Sequence, residues 1–179
     1  MLLIIVGVIA VAIVVVLTIA ATKPDTFHLQ RSTEINAPAA AIYANLSDFH
    51  RWQAWSPWEK LDPAMKRSFS GAEHGLGAVY AWDGNGKAGA GRMEVKEVKE
   101  VNEANHLKIA LDFMRPIKAS NTVDFILSPH GSGTKVIWAM QGPLPYVAKI
   151  MHAFMNMEKM VGPDFEKGLS NLKALSEKP

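Results

Sequence analysis

The chain has no cysteine. Disulfides, thiolate nucleophiles and cysteine-ligated metals are therefore excluded together. The redox compartment stays open, since a cysteine-free protein persists in either environment. An excess of one charge is also missing: 19 basic against 17 acidic residues give a formal net charge of +2. No basic run or face stands out, which argues against nucleic acid as a partner. Neither a phosphate-binding glycine loop nor a G-x-S-x-G nucleophile elbow is present. The six histidines (His28, His50, His74, His106, His130, His152) are scattered, with no His-x-x-x-His pair. No metal site and no cofactor is expected.

Charge is lacking altogether from Leu2 to Ala21, a run dominated by Ile, Val, Leu and Ala. Twenty such residues make a helix of about 30 Å, enough to cross the hydrocarbon core of a bilayer. A cleaved signal would want a basic residue ahead of a shorter apolar core and a small-x-small cleavage site. Here nothing basic precedes the run, and Ala20-Ala21 resembles such a site only weakly. The expected organisation is a transmembrane anchor over residues 1–22, with a signal sequence as the alternative. A linker follows at 23–26, then one folded domain over 27–176. The membrane is an expected partner through residues 2–21. Lys23, the basic residue close to the span, tilts the positive-inside rule weakly toward a cytoplasmic domain.

What the remainder has is alternation. Phe27 to Asn36 reads as a first strand. Pro38 opens a helix running to about Leu46, and Ser47-Asp48 caps a second short helix holding Phe49 and Trp52. Strands follow at Met65–Ser70, Leu76–Trp82, Ala88–Val98, His106–Phe113, Lys118–Ser128 and Thr134–Gln141. Asp83-Gly84-Asn85-Gly86 predicts a hairpin turn of positive-φ residues. A parity shift at Val98 predicts a bulge or bend. Tyr146 to Leu175 predicts a long amphipathic helix. Val147, Ile150, Phe154, Met157, Val161, Phe165, Gly168, Leu172 and Leu175 share its apolar side. Lys149, Asn156, Lys159, Glu166, Lys167 and Lys173 fall mostly toward water, and Gly162-Pro163 should kink or split the helix. An antiparallel sheet of about seven strands curving around that helix buries both apolar faces.

Three of the five tryptophans, Trp52, Trp55 and Trp58, fall within seven residues. They either close one end of the core or line the entrance to a cavity between sheet and helix. With them, Tyr80, Trp82, Met93, Leu111, Phe113, Phe125, Trp138, Met140, Phe154 and Met157 are the candidate cavity residues. Met151, Met155, Met157 and Met160 crowd one helical segment, as core packing or as adaptable contact with a lipidic ligand or a membrane surface.

The order of elements and several motifs together resemble the START-like superfamily of helix-grip proteins, also called SRPBCC, and within it the polyketide cyclase/dehydrase-like branch. The motifs are Glu34-Ile35-Asn36-Ala37-Pro38 leading to Ile42-Tyr43, Asp48-Phe49 with Trp52 to Trp58, Gly75 to Trp82, Gly133 to Trp138, and Phe165 to Lys173. The resemblance covers about Phe27 to Leu175. It implies an α+β helix-grip fold with a deep apolar cavity in which members bind lipids, sterols, polyketides or hormones and a minority do chemistry. It carries no shared catalytic set onto this chain, so the catalytic residues are unknown.

The polar residues that could reach the cavity are Tyr43, Tyr80, Arg92, Asp112, Asp124 and Gln141. Strand parity sends Arg92, Asp112 and Asp124 outward and leaves Tyr80 or Gln141 to orient a ligand. An apolar pocket with one or two hydrogen-bonding groups suits binding better than turnover. The expected function is a membrane-anchored START-like domain holding a hydrophobic small molecule or lipid, without catalysis. The alternatives are a cyclase- or dehydratase-like enzyme using the same cavity, and an interaction module with a filled core.

Overall fold

The computed structural model describes residues 1–101, 104–154 and 157–178, with the side chains of residues 2, 100, 101, 104, 151–154 and 157 outside that description. The apolar run forms α1 (Leu2–Thr22). β1 (Thr26–Ile35) follows, then α2 (Ala39–Ser47), a 3-10 turn (Phe49–Arg51), α3 (Trp52–Trp55) and a second 3-10 turn (Pro57–Lys60). Six strands come next: β2 (Lys66–Gly71), β3 (Ala78–Asp83), β4 (Ala90–Val101), β5 (Ala104–Arg115), β6 (Ala119–His130) and β7 (Gly133–Pro143). The chain closes with α4 (Tyr146–Phe154) and α5 (Met157–Ser176).

The strands make one curved antiparallel sheet in the order β1-β7-β6-β5-β4-β3-β2. Sequential hairpins pair every neighbour except β1, which closes on β7 from Thr26 opposite Pro143 to Ile35 opposite Thr134. Alternation decides the inner face. Leu107, Ile109, Leu127, Phe125 and Val136 are fully buried, while Asp124 and His106 meet at 2.7 Å on the opposite face. Each such apolar side chain contributes about 1.5–3 kcal/mol on burial.

Between β1 and β2, the side chain of Asp48 accepts a hydrogen bond from the backbone N–H of His50 and caps the first 3-10 turn. Ser56 is extended (φ −66°, ψ 127°) ahead of Pro57, which ends α3 and starts the next turn. These short elements lie over one end of the inner face. α5 packs on β1, α2 and α3 through Phe165, Leu169 and Leu172, all buried.

The terminal helix departs from the expected single stripe. α4 packs on α1, and Val147 is 71% exposed. Lys149, expected to face water, is buried with its Nζ 2.6 Å from Asp25 Oδ1. Helical periodicity marks an apolar side but cannot tell which of two neighbours, sheet or anchor, will cover it. Among the described residues, α5 is the helix that packs on β1, α2 and α3, and α4 reaches the cavity through Ala148. α5 runs through Pro163 without a break. A mid-helix proline costs about 3 kcal/mol, and the burial of Phe165, Leu169 and Leu172 downstream offsets that.

Two smaller expectations also shift. The register slips between Val95 and Glu97, so Lys96 is the bulge residue, two positions before Val98. The β3–β4 connection is a loop over residues 84–89 rather than a tight turn. Gly84 N–H donates to the Gly89 carbonyl, Gly89 N–H donates to the Asn85 carbonyl, and the positive φ (65°) falls on Gly89.

Candidate functional site

The inner face of the sheet, α5 and the short helices enclose a cavity of about 800 Å³. That is within the range of sites for small ligands. Trp52, Trp138, Phe165 and Val123 line its depth, and all are buried. Tyr80, Trp82 and Met93 line it from β3 and β4, Leu111 and Phe113 from β5, and Met140 from β7. Trp58 lines it from the second 3-10 turn.

Trp55 and Phe125 lie elsewhere. Both are fully buried in the core, with ring centroids 6.2 Å apart and each edge-on or tilted against Trp138 at 5.5 and 5.1 Å. They back the cavity wall from behind. The side chains of Phe154 and Met157 lie outside the described residues, as do those of Met151 and Met155, and Met160 is 52% exposed. A second, shallower recess of about 270 Å³ between β1 and α5 is lined by Ser32, Thr33, Glu166, Ser170 and Lys173. Leu169 completes its lining.

One polar cluster sits in the apolar wall. Glu59 and Tyr80 both line the cavity, and the Tyr80 hydroxyl donates to Glu59 Oε1 at 2.6 Å. Arg67 donates from Nε to Glu59 Oε2 at 2.7 Å. Its other two nitrogens donate to the Glu59 carbonyl at 3.1 Å and the Met65 carbonyl at 2.9 Å. Burial, and then the hydrogen bond to the Glu59 carboxylate, push the Tyr80 phenol well above the ordinary tyrosine value. The same carboxylate raises Arg67. Tyr80 is thus held protonated as a donor, and Glu59 is an acceptor whose two oxygens already have partners. Such a group can align a ligand hydroxyl or amide.

Sequence reasoning reached Tyr80 but not Glu59. Glu59 sits in a 3-10 turn, where no periodicity points a side chain inward. Arg67, eight residues on, and Tyr80, twenty-one on, reach it only through the fold. Gln141 is exposed, and Asn121 on neighbouring β6 lines the wall instead. Arg92 pairs with Glu94 and Asp124 with His106 on the outer face.

The cavity opens at one end of the sheet. Its exposed lining residues include Leu61, Lys87, Pro116, Ile117 and Lys118. Pro116, Ile117 and Lys118 form the β5–β6 connection, which the 84–89 loop flanks. The register fixes which end this is. Thr26 opposes Pro143, Gln141 opposes Thr122, Phe113 opposes Ala119 and Asp83 opposes Ala90. The mouth therefore lies at the end where β1 leaves α1.

The sequence matches the family described as polyketide cyclase/dehydrase and lipid transport over residues 26–177. No curated protein matches the chain. Several solved structures share the fold. Protein CV1439 from Chromobacterium violaceum is 15% identical, with a TM-score of 0.57 over 88% of this chain and 100% of that one. Hypothetical protein jhp0584 from Helicobacter pylori is 9% identical, with a TM-score of 0.60 over 87% and 90%. Major latex-like protein 151 from Panax ginseng is 12% identical, with a TM-score of 0.55 over 87% and 100%. At these identities the likeness is one of fold. Family match, sheet order and gripping helix agree: the chain belongs to the polyketide cyclase/dehydrase and lipid transport family, within the START-like superfamily.

Proposed function

We propose that this chain is a membrane-anchored binding domain that holds a hydrophobic small molecule, of lipid, isoprenoid or polyketide-like character, in the cavity between sheet and α5. The observation that carries this reading is the cavity of about 800 Å³ walled by Trp, Phe, Leu and Met, with one hydrogen-bonding cluster at Glu59 and Tyr80. An apolar volume that size is unfavourable to leave empty or to fill with water that finds few polar partners. α1 supports the anchor, being uncharged, twenty-one residues long and exposed along nearly its whole length. Trp52, Trp58, Trp82, Met93, Phe113 and Met140 are the residues assigned to ligand contact.

Turnover is the second reading, because a titratable side chain with a polar partner does face the cavity. Two features weigh against it. A carboxylate already bonded to both Arg67 and Tyr80 is a poor general base, and a phenol kept protonated is a poor nucleophile. Solvent extraction of the purified full chain followed by mass spectrometry tests the leading reading. A stoichiometric apolar compound is expected. A chain that yields none, and takes up no member of a panel of lipids, would count against it.

A further inference from the structure

We infer that the rim of the cavity mouth is seated in the same bilayer that α1 spans, so that the guest enters from the membrane rather than from water. This rests on the anchored binding domain proposed above. The occupant of the rim is a lipid surface bearing anionic headgroups.

Three observations carry it. First, the chain gives the rim no room to stand off. Only Lys23, Pro24 and Asp25 separate α1 from β1, about 10 Å if fully extended. That segment is clamped as well: Leu144 N–H donates to the Asp25 carbonyl at 2.7 Å, and Asp25 pairs with Lys149. The Tyr146 hydroxyl donates to the Leu17 carbonyl. Leu17 lies five residues inside the end of α1, about 7.5 Å of helix. The start of α4 is thereby held against the last two turns of the span.

Second, the side chains at this end are apolar and exposed. Met114 (51%), at the end of β5, Ile117 (60%), in the β5–β6 connection, and Val147, on α4, are all exposed. Third, cations flank them. Lys23, Lys87 and Lys118 are exposed and have no carboxylate partner among the described residues, whereas three acids near them are engaged. Asp83 pairs with Arg115, Asp25 with Lys149, and Asp62 accepts backbone N–H groups from Ala64 and Asn85. Apolar tips ringed by lysine are the composition that settles into the headgroup boundary of an anionic bilayer. The mouth opens among these tips, so an apolar guest would pass between bilayer and cavity without crossing bulk water.

The absence of cysteine makes an introduced thiol unique, which suits a depth measurement. The full chain, carrying Ile117→Cys or, at the opposite end of the sheet, Ser132→Cys, is labelled with an environment-sensitive fluorophore. It is then reconstituted in phosphatidylcholine vesicles containing phosphatidylglycerol and lipids spin-labelled high on the acyl chain. Fluorescence at position 117 is expected to be quenched several-fold more than at position 132. Equal quenching, with the protein still resistant to alkaline carbonate extraction, overturns the seated rim and leaves the anchor standing. Release by carbonate overturns both. Met114→Asp combined with Val147→Asp touches no residue lining the cavity. It should slow uptake of a fluorescent fatty acid from vesicles several-fold at unchanged occupancy in detergent, and an unchanged rate contradicts entry from the bilayer.

Discussion

Replacing Arg67 by methionine tests the state of the cavity wall. The Arg67 side chain is 18% exposed and that of Glu59 is 7% exposed, with Nε and Oε2 at 2.7 Å. A pair this enclosed is far from a surface salt bridge, which is worth about 0–1 kcal/mol. Arg67→Met keeps the aliphatic stem but strands the Glu59 carboxylate in the wall with only the Tyr80 hydroxyl as partner. Breaking a buried pair from one side costs about 3–5 kcal/mol, chiefly the penalty of the orphaned charge. For a domain of this size each kcal/mol lowers the melting temperature by about 2–4 °C, so the expected fall is about 6–20 °C.

Glu59→Gln in the same background removes the orphaned charge. It should recover part of the loss, with a coupling of about 0.5–3 kcal/mol between the two sites. Urea unfolding of the full chain in detergent, followed by tryptophan fluorescence and analysed as a double-mutant cycle, measures both quantities. A loss below about 1 kcal/mol for Arg67→Met, with no coupling to Glu59→Gln, would refute the reasoning. It would mean that water inside the cavity solvates the carboxylate, and a wet cavity is not the home of an apolar guest.

Two further outcomes follow from the packing and the titration. Gly168→Ala would gain about 1 kcal/mol in an open helix. Here the added methyl would lie 2.7 Å from Trp138 Cζ3 and 3.2 Å from Pro57 Cδ, and the Trp138 ring is stacked on Phe165 at 4.2 Å. A net loss of about 1–3 kcal/mol in thermal unfolding is expected, and a gain would show that α5 grips less tightly than described. The raised Tyr80 value means that the folded state holds this proton more firmly than the unfolded chain does. Its contribution is complete below the unfolded tyrosine value of about 10 and is lost as pH rises from there toward the folded value. Tyr80→Phe should flatten the alkaline fall in stability, and an identical fall in both proteins would remove the assignment.

Much of the fold was legible because its inner face obeys a period of two. Leu107-Ile109-Leu111, Val123-Phe125-Leu127 and Val136-Trp138-Met140 all turned inward as alternation requires. The site was less legible, because parity says that a side chain points inward but not what stands opposite it. Phe125 and Trp138 share a face on neighbouring strands, yet Trp138 lines the cavity and Phe125 is sealed within the core. Glu59 escaped detection since a 3-10 turn has no alternation to read. α4 misled for a different reason: its apolar side is real, but α1 shares in covering it, which leaves Val147 outward and Lys149 buried.

The central claim is that the cavity is occupied by an apolar guest, and native mass spectrometry of the full chain released from lipid nanodiscs tests it most directly. The unaltered chain is expected to carry one adduct per protein. A variant with Leu111→Trp and Val123→Phe, which fills the cavity from β5 and β6, should be folded and bare. Bare protein in both cases, or an adduct that persists undiminished in the filled variant, would contradict the account.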